Sequence, residues 1–542
     1  MPPPCATGER PGAPMDGMSS APSGSAGPSR ERVTVGREPL TIDEVVRVAR
    51  HGTRVVLADE ALAEVRRTRA VVRGLADGAE PHYGVSTGFG ALATRHIPVT
   101  LRRQLQRSLV RSHAAGSGPE VEREVVRALM LLRISTLATG RTGIREETLL
   151  AYVAMLDAGL TPVVHEYGSL GCSGDLAPLA HCALALMGEG EVRDASGVRM
   201  PSAQALSTAG ISPVELEEKE GLALINGTDG MLGMLCLAIA DLRELLVVAD
   251  VTAAMSVEGL LGTDDVFAAD LQALRPQPGQ AVSAANIRKV MAHSAIRESH
   301  RTEACTRVQD AYSLRCAPQV AGGARDTVDH AARVAGWELA SAVDNPVVTP
   351  DGRVESNGNF HGAPVAYALD FLAIVAADVA SMSERRTDRF LDASRSNGLA
   401  PFLADDPGVD SGQMIAQYTQ AAIVSEMKRL AAPASVDSIP SSAMQEDHVS
   451  MGWSAARKLR RSVDGLARVL AVEVLTATRG IRLRAPLTPA PATAAVVDAL
   501  VSAGAGTPGP DRWLSPEIDT AYRLVTDGTI RRAAESVTGP LT

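Results

Sequence analysis

Four stretches of this 542-residue chain, 232–261, 366–389, 411–430 and 452–480, are long, rich in Ala and Leu, and helical in their apolar period. Stripes of this length predict long helices. Aromatic residues make up only 3 % of the chain while 45 % is apolar, so Ala, Leu and Val must do most of the packing. Such small and straight-chain residues favour helices over sandwiches. No internal repeat and no alternation of strands with helices is present, which argues against a doubly wound sheet. Segment 41–76 also carries apolar residues at helical spacing, with Thr41 as N-cap and Glu44 three residues on completing a capping box. The expected fold is mainly α.

A net charge of −10 argues against general nucleic-acid or anionic-membrane binding. The basic face formed by Arg457, Lys458, Arg460 and Arg461 therefore reads as a solvated or intersubunit surface. Six cysteines, at 5, 172, 182, 236, 305 and 316, are scattered without a CxxC pair, as in a reduced cytoplasmic protein. The N-terminus has no apolar core of a signal peptide. The apolar run from Met231 to Ala240 stops at Asp241 and Arg243, too short to cross a bilayer, and reads as a buried helix. Residues 1–32, rich in Pro, Gly, Ser and Ala, cannot bury enough surface to offset their ordering entropy and are expected to be disordered. Near the C-terminus 504–510 forms a loop before a final short helix. His361 and His448 lack metal-ligand spacing and read as hydrogen-bonded histidines; no metal is expected.

The densest cluster of small residues is Tyr167-Gly168-Ser169-Leu170-Gly171-Cys172-Ser173-Gly174-Asp175-Leu176-Ala177-Pro178-Leu179-Ala180-His181. It is not a serine-nucleophile elbow, because the frame 171–175 ends in Asp175, and it is not a phosphate loop, because no Gly-Lys-Ser/Thr follows. A different chemistry fits. Where Gly follows Ser, the Gly amide nitrogen can approach the carbonyl of the residue before the Ser, in a turn that a Cβ would obstruct. Ring closure from Gly174 onto Cys172 with loss of two waters gives a 4-methylidene-imidazol-5-one whose methylene comes from Ser173. Cys172 contributes only backbone.

This fifteen-residue segment resembles the prosthetic-group loop of the aromatic amino acid ammonia-lyase and aminomutase family. The triad there is most often Ala-Ser-Gly, and some actinobacterial members acting on histidine carry Cys-Ser-Gly. The resemblance covers nearly all of the chain from about residue 33 and implies a mainly α fold, with a smaller N-terminal catalytic-loop domain over 33–225 and a long-helix bundle with a C-terminal helical region over 226–542. Tyr83-Gly84-Val85-Ser86-Thr87-Gly88-Phe89-Gly90 is similar to the family's mobile loop, which implies that Tyr83 removes the β-proton. Ser112-His113 matches the substrate-selecting pair as members acting on histidine show it, and His113 can hydrogen-bond an imidazole or a phenol.

By the same resemblance Asn226 contacts substrate and prosthetic group. Arg315 offers a bidentate fork for the substrate carboxylate, and Gln309 and Tyr312 hold the prosthetic and amino groups. Phe360 packs on the substrate ring, and Glu426 lies near it. Gln445-Glu446-Asp447-His448 reads as structural support near the site. Departures stand at Gln277, Gln413 and Asp229, and Gln413 bears on substrate preference.

The resemblance implies elimination of ammonia from L-histidine to give urocanate, with no external cofactor, by a homotetramer whose active sites are shared between subunits. The alternative is an aminomutase or ammonia-lyase acting on tyrosine or another aromatic amino acid. A non-catalytic scaffold is disfavoured by intact Ser173, Tyr83 and Arg315, and a fumarase-type lyase by the lack of its signature loop.

Overall fold

The computed structural model describes residues 32–542 except 37, 77–83, 85, 89, 93, 303–304 and 306–307. The expectation of disorder for the N-terminal extension falls, all but Arg32, outside the described residues, and so does Tyr83. The expected capping box is formed. Thr41 Oγ1 accepts from the Glu44 amide at 3.2 Å, the Glu44 carboxylate accepts from the Thr41 amide at 2.9 Å, and α1 (Ile42–His51) starts there.

Segment 41–76 is nevertheless two helices. Gly52, left-handed at φ 67°, ends α1. Arg54–Leu57 then pairs in parallel with Arg32–Val35, and helix resumes over Asp59–Ala76. The helical period missed this break because Val55, Val56 and Leu57 suit a strand as well as a helix once Val33 and Val35 lie alongside.

Four helices follow, α2 (Arg102–His113), α3 (Arg123–Ala138), α4 (Leu176–Leu186) and α5 (Glu220–Ile225), and residues of α2, α4 and α5 line the site. The bundle follows as α6 (Asp229–Gly259), α7 (Ala317–Leu339), α8 (Ala363–Leu391), α9 (Met414–Leu430) and α10 (Gly452–Arg482). Helices α6, α8, α9 and α10 are the four expected long helices, within three residues at each end. Helices α8 and α10 lie along one another and both pack on α6, which is buried around nearly its whole circumference. One apolar core runs from Val33 to Leu541. Among the described residues the strands form four sheets of two or three strands each. After the 504–510 loop come two helices, Ser515–Thr526 and Thr529–Thr538, where one was expected.

Polar groups cross-link the long helices. Glu473 of α10, fully buried, accepts both guanidinium arms of Arg386 of α8 and the hydroxyls of Thr252 and Ser256 of α6. Removing one partner from such a site costs about 3–5 kcal/mol, because the charge left behind stays buried. By length and composition α8 could cross a membrane. Here its buried Asp370 and Arg386 are engaged by Lys458 and Glu473 of α10, as befits a core helix of the bundle.

Of the two readings of the basic face of α10, a solvated or an intersubunit surface, the solvated one does not hold for three of its four residues. Arg457 pairs with Glu122, Lys458 with Asp370, and Arg460 with Glu124 and Asp241. Arg461 alone of the four remains largely exposed. The carboxylates come from distant parts of the chain, so nothing near 457–461 in sequence signals them.

Candidate active site

The site is built around a turn that glycine makes possible. Gly171 (φ 71°) and Gly174 (φ 76°) face each other across Cys172 and Ser173, which sit at the tip. Both flanks are left-handed, a conformation that costs an L side chain roughly 1–2 kcal/mol. At Gly174 there is also no room: a Cβ would lie 1.9 Å from the Gly227 carbonyl oxygen. That oxygen accepts the Asp175 amide at 2.7 Å, so the Gly227 strand clamps the turn from beneath.

The start of α10 pins the approach to the turn. Trp453 Nε1 donates to Glu166 O at 2.7 Å, the Met451 amide to Leu170 O at 3.0 Å, and Ser450 Oγ to Gly171 O at 3.1 Å. Asp175, fully buried, takes the Ser169 hydroxyl at 3.0 Å and the Met231 amide at 2.8 Å, tying the turn to α6. Burial pushes its carboxyl up to about 7. The Cys172 thiol is pushed up to about 12, first by burial and then by the carboxylate of Glu446. It is therefore protonated at neutral pH and a poor nucleophile.

Ser173 opens onto a cavity of about 510 Å³. The end of α2 supplies Ser112 and His113, α5 supplies Leu222 and Ile225 with Asn226 just beyond it, and Asn345, Ser442 and Glu446 close the sides. Gly88 and Gly90 of the 84–90 loop also line it. His113 Nδ1 lies 2.9 Å from Leu109 O, a pure acceptor, so Nδ1 carries the proton. Burial lowers the pKa of the ring, which leaves it neutral with Nε2 as an acceptor. Asn226 donates Nδ2 to Asn345 O at 2.9 Å; its Oδ1 is buried with no hydrogen-bond partner among the described residues. The cavity thus offers the His113 acceptor and the Glu446 side chain beside Ser173, with Asn226 in its wall.

A family model described as aromatic amino acid lyase matches residues 40–502. The chain is 66 % identical over 511 residues to the histidine ammonia-lyase of Streptomyces griseus, covering 94 % of this chain and 99 % of that one. The chain belongs to the aromatic amino acid lyase family. It is 64 % identical over 509 residues to the histidine ammonia-lyase of Streptomyces coelicolor, at 94 % and 99 % coverage. Among solved structures, tyrosine aminomutase from Streptomyces globisporus superposes with a TM-score of 0.89 at 36 % identity, over 94 % of this chain and 100 % of that one. Histidine ammonia-lyase from Trypanosoma cruzi gives 0.85 at 36 % identity, over 94 % and 96 %.

Within one chain of this lyase, the residues singled out from sequence do not all meet. His113, Ser173 and Asn226 share the cavity. Gln309 and Arg315 line a different one, of about 680 Å³, with Arg297, His300 and Arg301. Tyr312 is 70 % exposed, under the Arg315 guanidinium at 4.7 Å from its ring centre. Phe360 is half-buried in the loop before α8 and is not among the residues lining the Ser173 cavity.

Glu426 is exposed on α9 and lines a third hollow beside Arg460, Arg461 and Arg468. The carboxylate facing His113 is Glu446, from the segment read as mere support. Its presence in a motif dense in polar residues was the available signal; Asn345 carried none.

The departures lie to one side. Gln277 is exposed at the start of helix Pro278–Met291, Gln413 is buried where α9 begins, with its amide on Phe402 O, and Asp229 pairs with Arg133 at 3.3 Å. The rings of His361 and His448 stack 5.6 Å apart, and His361 Nε2 reaches His448 O at 3.3 Å.

Proposed function

We propose that the chain is a carbon–nitrogen lyase that eliminates ammonia from L-histidine to give trans-urocanate, using an electrophile formed from its own Cys172-Ser173-Gly174. The observation that carries this reading is the cavity joining Ser173, at the tip of a glycine-locked turn, to a neutral His113 and Glu446. High identity to two histidine ammonia-lyases over almost their full length supports the same substrate.

The residues present fit the prosthetic group on a structural test. Position 174 admits no Cβ, and the Gly171–Gly174 turn is already folded back on itself. Closure of the Gly174 nitrogen onto the Cys172 carbonyl carbon, with loss of two waters, supplies an electron-poor methylene beside the substrate. Nothing external need be bound.

The chain's own groups do the rest. His113 Nε2 accepts the imidazole N–H of the substrate, and Glu446, in the place first given to Glu426, holds the other side of the ring. Asn226 Oδ1 accepts from the amino group. Arg315 forks the carboxylate, with Gln309, Tyr312 and Phe360 beside it. Tyr83 takes the β-proton; an ordinary phenol has a pKa of about 10, so nearby N–H donors and cations must stabilise its phenolate. The 84–90 loop excludes water. Since Arg315 and Ser173 open onto different cavities of one chain, a second copy supplies Arg315, as in a homotetramer with shared sites.

The test is incubation of the enzyme with histidine, tyrosine and phenylalanine, following urocanate absorbance. No urocanate from histidine overturns the substrate. A second reading has one observation in its favour: His113 Nε2 would bond a phenol as well as an imidazole, and the chain superposes closely on a tyrosine aminomutase. A β-amino acid product in place of an acrylate would establish it.

A further inference from the structure

Behind Asn226 lies an ion pair with no role in the reaction as described. Lys219 and Asp344 are each fully buried, and the Lys219 ammonium donates to Asp344 Oδ2. Two features mark the pair as more than packing. Lys219 is left-handed, at φ 71° and ψ −22°, at the residue from which α5 starts, so its backbone is strained to aim the side chain inward. The pair also sits one step from the cavity wall at both ends. From Lys219, α5 runs directly to Asn226. From Asp344 the chain passes to Asn345, whose carbonyl accepts Asn226 Nδ2 at 2.9 Å.

The contacts therefore close a ring: Lys219, α5, Asn226, Asn345, Asp344 and back to Lys219. Asp344 is itself oriented, its Oδ1 accepting the Asn345 amide at 2.7 Å and its carbonyl accepting Asn357 Nδ2 at 3.0 Å. Arg133 is a second strut across the ring, donating to Asn226 O at 2.6 Å and Val343 O at 3.0 Å. An asparagine amide has two faces of opposite polarity, and which one meets the substrate depends on what holds the other. Here the ring presents a carbonyl to Nδ2, so the acceptor Oδ1 is the end left without a partner, buried in the cavity wall.

We propose that Lys219 and Asp344 are positioning residues that set the orientation of Asn226, and with it the alignment of the substrate amine. Neither touches the substrate; both act through Asn226 and Asn345. The proposal rests on the reading of Asn226 as a substrate contact. Hydrophobic residues of similar size often replace a buried ion pair without loss of stability, whereas loss of one partner strands a charge. The variant of choice is therefore Lys219→Met with Asp344→Asn, which nearly keeps volume, strands no charge and removes the ring closure.

Expected is a folded enzyme with its near-UV absorbance intact and kcat/KM for histidine down at least about 10-fold, the scale of one lost charge-assisted hydrogen bond. In an Asn226→Ala background the same double change should cost less than about 2-fold, because residues acting through one another are not additive. Multiplied losses overturn the proposal, as does a folded, absorbing double variant with wild-type kcat/KM. Should the double variant not fold, Asp344→Asn alone, isosteric and able to keep the Asn345 contact, is judged by the same two measurements. If Asn226→Ala alone turns over like wild type, it is the reading of Asn226 that fails, a result separate from either of these.

Discussion

The turn at 171–174 and the segment 308–315 carry equal weight in the proposed chemistry, yet the fold treats them in opposite ways. The turn is clamped from three sides, by Gly227, by the start of α10 and by Asp175, which is bonded to Met231 of α6. Segment 308–315 is partly displayed: Val308 is 96 % exposed and Tyr312 70 %, with Arg315 half-buried beside them. An electrophile that must form by backbone cyclisation needs a strained turn held rigidly by its own chain. A carboxylate clamp needs only to arrive, and it can arrive on another copy.

The harshest break of this comparison is at the turn. Ser173→Ala should abolish the near-UV absorbance of the prosthetic group and lower turnover by at least about 10³-fold, roughly 4 kcal/mol of barrier. Wild-type turnover in that variant would sink the scheme. Next comes the displayed half. Ser173→Ala and Arg315→Ala are each expected to be inactive. If sites are shared, unfolding and refolding the two together should restore activity that neither parent has, because some sites receive an intact Ser173 from one copy and an intact Arg315 from another. Absence of rescue, with mixed oligomers shown to form, would mean that one chain completes its own site.

What could be read from the sequence follows the same division. The long helices were legible because Ala and Leu recur at one period over some thirty residues, and Gly174 because the chemistry tolerates no side chain there. Less legible was whatever depended on partners far along the chain. Arg460 looked solvated because its partners, Glu124 and Asp241, lie more than two hundred residues away. The break at Gly52 hid inside a helical period. Asn345 closes one side of the cavity and holds Asn226, and no motif announces either contact.

The carboxylate beside the substrate ring sharpens the point, since Glu426 and Glu446 both stand in segments that resemble the family. Geometry separates them: Glu446 shares the cavity with His113, whereas Glu426 lies on an exposed face of α9. Glu446→Gln should lower kcat/KM for histidine about 10- to 100-fold, the scale of one hydrogen bond to a charged group. Glu426→Gln should change it less than about 3-fold. The reverse order would show that assembly, not the single chain, brings Glu426 to the ring.

The smallest effect belongs to the residue nearest the electrophile. Cys172 lends its carbonyl to the ring, and its thiol plays no part. Burial and Glu446 hold that thiol at about 12, so between pH 7 and 9 it stays protonated and lacks the thiolate that alkylating reagents attack. Cys305, exposed at the surface, should therefore react with iodoacetamide well before Cys172 does. Cys172→Ala should keep the near-UV absorbance and turn over within about 3-fold of wild type, a change of about 0.7 kcal/mol or less in the barrier. Peptide mapping after alkylation measures the first expectation and steady-state kinetics the second. Rapid labelling of Cys172 that abolished turnover, together with an inactive Cys172→Ala variant, would give the sulfur a place in the chemistry that its burial denies it.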